Sequence, residues 1–169
     1  MVGRTIIWAT LVAGTLDILS AFLWSALLGG PLDTILPTIA VGAFGMPPSA
    51  ASQVVGLGVH FAIMAVMAAV YVLASRRIPL LNRHWVIAGL LYGFALWIVM
   101  YWIVMPLRWD TYQTPNEAWP IVRQLISHCL LTGLPIAWIA ARMRPANRPS
   151  YIRNRQTTCP PLRSRQERV

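Results

Sequence analysis

Charge is scarce in this chain, and lysine is absent. Of its 169 residues only 11% are charged, five of those are acidic, and all 14 basic residues are Arg. A water-soluble fold of this size carries about twice that charged share, so most of the surface must face lipid. Cysteine is equally sparse. Cys129 lies in an apolar stretch and Cys159 near the C-terminus, at different expected depths, which excludes a disulfide framework. Also missing are a nucleophile and base pair, a zinc-protease motif, a phosphate loop and a cofactor fingerprint, so nothing points to an enzyme.

What is present is hydrocarbon: 57% of residues are apolar and the mean hydropathy is +0.58. A helix needs about 20 apolar residues to cross a hydrocarbon layer of about 30 Å. Four runs qualify, at about 6–28, 53–74, 85–105 and 120–141, and only helices can cross in so short a chain, since lipid offers no partner for open backbone groups. The expected fold is an all-α membrane protein, a four-transmembrane-helix bundle over 1–143. Arg4 and the first run resemble a signal peptide, but the run continues to Leu28 with Asp17 in its middle and no small-residue cleavage site, so a retained helix is expected.

The arginines set the orientation. Arg4 precedes the first run, Arg76, Arg77 and Arg83 fill the second connection, and eight arginines from Arg142 onward follow the fourth; the other side has only Arg108 and Arg123. The positive-inside rule places both termini in the cytoplasm, N-in/C-in. The net charge of +9 avoids the apolar runs, so no nucleic acid is expected as partner. Residues 144–169, rich in Arg, Pro and Ser, read as a disordered basic cytoplasmic tail, drawn to anionic lipid headgroups by about 1 kcal/mol per charge.

The connections carry their own signals. In 29–52, Leu32, Ile35, Leu36, Ile39, Ala40 and Ala43 recur at helical spacing, predicting a short interfacial helix opened by Pro31, bent at Pro37 and broken before Gly45. A re-entrant pore element fits less well, for want of backbone-exposing glycine. Thr114-Pro115-Asn116-Glu117 has the form of a capping box before the fourth helix. Trp24, Trp102, Trp109 and Trp119 mark one boundary belt and Trp8, Trp85 and Trp138 the other.

Ionisable groups within the spans are costly and each needs an account. Asp17, His60 and His128 all fall between the midplane and the outer end when counted at about 1.5 Å per residue. Each shares a stripe with small or polar neighbours: Thr10, Gly14 and Ala21; Gln53, Gly56, Met64, Met67 and Tyr71; Gln124, Thr132 and Pro135. Asp17, His60, His128, Gln124, Thr132 and Tyr92 form the candidate intramembrane site. Gly14, Gly56, Gly89, Gly93, Gly133 and Pro135 are candidates for helix packing, with the Gly89–Gly93 spacing a candidate dimer contact and Pro135 expected to kink the fourth helix by freeing the Leu131 carbonyl.

The polar groups either lock the bundle or work in it. Working, they form a protonatable site on a proton or small-solute path; or His60 and His128, with Asp17, bind a metal or haem; or the stripe is covered by a partner subunit or a second copy. The first is the preferred reading, and no cofactor is predicted with it.

The runs Gly14-Thr15-Leu16-Asp17, Gly56-Leu57-Gly58-Val59-His60-Phe61, Gly89-Leu90-Leu91-Tyr92-Gly93, and His128 before Gly133-Leu134-Pro135-Ile136-Ala137 resemble a group of small four-helix bacterial inner-membrane proteins without established activity, and more remotely the YagU-like inner-membrane proteins. The likeness spans 14–142 and leaves out the tail. It implies a bacterial inner-membrane location and singles out Asp17, His60 and His128, although the YagU-like chains lack a counterpart of Asp17. It supplies no substrate.

Overall fold

The computed structural model describes residues 2–143; the tail expected to be disordered over 144–169 lies outside them. Among the described residues every regular element is helical. In chain order these are α1 (Val2–Leu27), α2 (Ile35–Phe44), α3 (Ala50–Arg77), α4 (Pro79–Arg83), α5 (Trp85–Arg108) and α6 (Ala118–Arg142). Four of them, α1, α3, α5 and α6, are long and apolar enough to cross a membrane.

The helices overrun the apolar runs because hydropathy does not register polar ends. At the start of α3 the Ser49 hydroxyl accepts from the Ser52 amide at 3.1 Å, and the Ser52 hydroxyl accepts from the Ser49 amide at 2.8 Å. This reciprocal box satisfies two orphan donors and begins the helix three residues before the hydropathy signal.

Proline placement corrects two expected starts. A helix opened at Pro31 would hold Pro37 in its interior, where the missing N–H and the ring clash cost about 3 kcal/mol. Instead Thr34 is the cap of α2 and Ile35 its first residue, so Pro37 falls in the first turn, whose amides have no helical partner, and no bend is needed. The expected box at Thr114 fails for the same reason. Glu117 caps α6, without a side-chain bond, and Pro120 becomes its third residue.

Pro106 and Pro135 cannot be placed so cheaply, since both lie beyond the first turn, Pro106 in the last turn of α5 and Pro135 in the body of α6. Each is preceded by a wide π-helical stretch, Val99–Val104 and Ile126–Gly133 respectively. The looser winding absorbs the lost backbone bond, so the break expected at Pro135 takes the form of a π segment before it.

Large apolar side chains face outward, and small polar ones are buried among the apolar core. Leu27, Val66, Leu91 and Leu107 are exposed, as lipid contact requires, whereas Thr5, Thr10, Ser20, Ser75, Ser127 and Thr132 are buried. At the α4 end the core is dense: Ala9, Ala13, Ala68, Ile136 and Ala137 are all 0% exposed. The helices α5 and α6 cross in near-backbone contact. A Cβ on Gly93 would lie 2.3 Å from the His128 carbonyl oxygen, and one on Gly133 2.2 Å from that of Gly89. The Gly89–Gly93 face is therefore occupied within the chain and is not left for a second copy. Gly56 serves α2 similarly, since its Cβ would meet the Leu36 carbonyl oxygen at 2.0 Å.

Candidate functional site

At the other end, under α2, the bundle does not close. A chamber of about 440 Å³ lies among α1, α2, α3, α5 and α6. Asp17, His60, His128 and Thr132 all line it. Their helices bring them there by the stripes that also bury Gly14, Gly56 and Met64; Gln53 alone breaks its stripe, being exposed at the first turn of α3.

The polar groups share the space more than they share bonds. Thr132 donates its hydroxyl to Asp17 Oδ1 at 3.1 Å. His60 donates from Nε2 to the Gly14 carbonyl at 2.9 Å, and His128 from Nδ1 to the Gln124 carbonyl at 3.0 Å. A carbonyl only accepts, so these bonds assign the tautomers: Nδ1 of His60 and Nε2 of His128 carry the lone pairs when the rings are neutral. Among the described residues no group of three or more His, Cys, Asp or Glu side chains is placed to hold a metal ion. Asp17, His60 and His128 thus line one chamber without forming a metal-ligand set.

Two expected members stand elsewhere. Tyr92 donates to the Met67 carbonyl at 2.7 Å and packs on Tyr71, with ring centroids 5.1 Å apart, on the closed side. Gln124 accepts from Trp97 Nε1 at 3.0 Å and borders a separate side chamber of about 200 Å³. That side chamber shares Asp17, Ala21, Tyr101 and His128 with the main one and adds Arg123. Ser20 and Ser127 join hydroxyls there at 2.9 Å, and Trp24 Nε1 donates to Ser127 at 3.3 Å.

Sequence reasoning missed Tyr101, Arg108 and Trp109. The Tyr101 ring meets His128 edge-on, centroids 5.6 Å apart, and each of the two residues sits in a π segment. Such segments recur at functional sites because they turn side chains out of helical register. Pro106 and Pro135 were the signal available. Arg108 donates to the Val41 and Gly42 carbonyls at the C-terminal end of α2, where a cation complements the helix dipole. The Trp109 ring covers Gly42, whose Cβ would lie 2.7 Å from it. Together they fasten α2 across the chamber.

With this geometry in view, comparison with family models, curated proteins and solved structures found no match.

Proposed function

We propose that this chain is a small-solute- or proton-handling protein of a bacterial inner membrane, with both termini cytoplasmic and α2 lying at the outer interface. The observation that carries the reading is the convergence of Asp17, His60, His128 and Thr132 from three helices on one chamber. A carboxylate inside a membrane span costs about 2.5 to 3.5 kcal/mol on insertion scales, whereas interhelical hydrogen bonds there return about 0.6 kcal/mol each. A single Thr132 bond does not offset that cost, so a working role for Asp17 accounts for it better than a structural one. The arginine asymmetry supports the orientation, and the resemblance to small four-helix bacterial proteins supports the location.

The chamber is one-sided. The Ala9, Ala13, Ala68 and Ile136 core closes the α4 end, so solute enters from the α2 end, and passage onward requires the helices to move. The test is proton flux in proteoliposomes containing a pH-sensitive dye. Parent protein is expected to leak above empty vesicles and Asp17→Asn to fall to their level; equal leak in parent and variant overturns the transport reading. A partner-subunit role would then be addressed by crosslinking, and a haem or metal role by the absorption spectrum and metal content of the purified protein.

A further inference from the structure

The chamber wall is chemically one-sided as well, and its single carboxylate lacks a cation of its own. Asp17 is the lone acid among the lining residues, and its hydrogen-bonded partner is the neutral hydroxyl of Thr132. Within the main chamber no arginine is free to face it. Arg108 holds the Val41 and Gly42 carbonyls, and Arg123 faces Asp17 only from the side chamber, which both residues line, and not from the main one. His60 and His128 each direct an N–H to a backbone carbonyl. A carboxylate among apolar groups is stabilised chiefly by a positive charge brought against it.

The remaining wall suits a bulky apolar body. Met64, Met67, Met100 and Met105 line it, and unbranched thioethers repack around varied shapes. Tyr101 adds an aromatic ring, a group whose face attracts cations, whereas the Trp109 ring already has the Arg108 guanidinium 5.4 Å from its centroid. The volume of about 440 Å³ lies in the range of drug-sized ligand sites. We infer that the chamber takes a lipophilic cation, a bulky amine or onium compound, with its charge against Asp17 and its hydrocarbon among the methionines. The inference rests on the chamber being the solute site proposed above.

Three probes of related bulk and different charge test it by equilibrium dialysis on the full chain in mild detergent: tetraphenylphosphonium, tetraphenylborate and neutral triphenylphosphine oxide. Tetraphenylphosphonium is expected to bind saturably and roughly tenfold or more weaker to Asp17→Asn, since a charge-assisted contact is removed. Asparagine keeps an acceptor for Thr132, so the variant should fold, and Asp17→Glu is expected to recover part of the affinity. Tetraphenylborate is expected to show only partition into the micelle. Equal tetraphenylphosphonium affinity in parent and Asp17→Asn, or saturable tetraphenylborate binding of similar strength, overturns the inference. If the phosphine oxide alone binds, and Ala21→Leu abolishes that binding, the chamber stands as a solute site and only its charge preference falls. If no probe binds saturably, the inference falls, and the proton-handling reading is decided separately by the flux comparison of parent and Asp17→Asn.

Discussion

The two halves of the bundle are built from the same four helices and reach opposite ends. Toward α4 the contact residues are Ala9, Ala13, Ala68, Ala137 and Ala140, all at most 5% exposed, and small side chains let the helices meet without a gap. Toward α2 the inward positions hold Asp17, His60 and His128 with methionines between them, and a chamber remains. In lipid there is little hydrophobic gain in bringing helices together, so close packing must come from shape. Where shape fails, an opening persists only if polar groups or a ligand use it. The contrast places the close packing in the α4 half and the chamber with its ionisable side chains in the α2 half.

The largest effect should come from the crossing on which both halves hinge. Gly93→Leu would drive a side chain into the His128 backbone, and we expect a loss of about 3 kcal/mol or more, or no folded protein. Thermal unfolding in detergent with a size-exclusion readout checks it. A smaller loss would mean that α5 and α6 can separate, and that the chamber is softer than its walls suggest.

Next, the same substitution in each half should give different answers. Ala68→Leu overfills a sealed position and should cost about 1 to 3 kcal/mol, whereas Ala21→Leu grows into the chamber and should cost less than about 0.5 kcal/mol. If both cost the same, the two halves are packed alike. Arg108→Gln should act locally, at about 1 kcal/mol for an interaction near the surface. Its signature is faster hydrogen exchange at the α2 amides with α1 and α3 unchanged. Uniform acceleration would show that α2 is not held separately.

Much of this plan was legible beforehand, because apolar length and helical period are local properties. The four long helices and the stripes through Gly14, Gly56 and His60 follow from spacing alone. Element ends were harder. They depend on where prolines can stand: Pro37 and Pro120 each pull a start forward by a turn or so, a constraint that composition does not express. The site was legible in its charged members and not in its aromatic ones. Tyr101 reaches His128 from a π segment, and a 3.6-residue wheel misplaces any side chain beyond such a segment. Tyr92 failed in the converse way, being polar and central yet turned to the Met67 carbonyl.

The finest test sets two buried threonines against each other. Thr132 in the chamber donates to Asp17, while the hydroxyl of Thr10, next to Ala9 of the alanine core, has no hydrogen-bond partner among the described residues. Valine matches threonine in shape and removes only the hydroxyl. Thr132→Val should therefore destabilise by about 0.6 kcal/mol, the mean for interhelical bonds in a membrane, and also weaken any ligand that relies on the orientation of Asp17. Thr10→Val should be neutral or slightly stabilising, because it replaces an unsatisfied polar atom with an apolar one. Steady-state unfolding of the pair under one denaturing detergent gradient resolves the sign. Should Thr10→Val prove the costlier, the closed half would contain a polar contact that its dry core conceals, and the contrast between the halves would not hold.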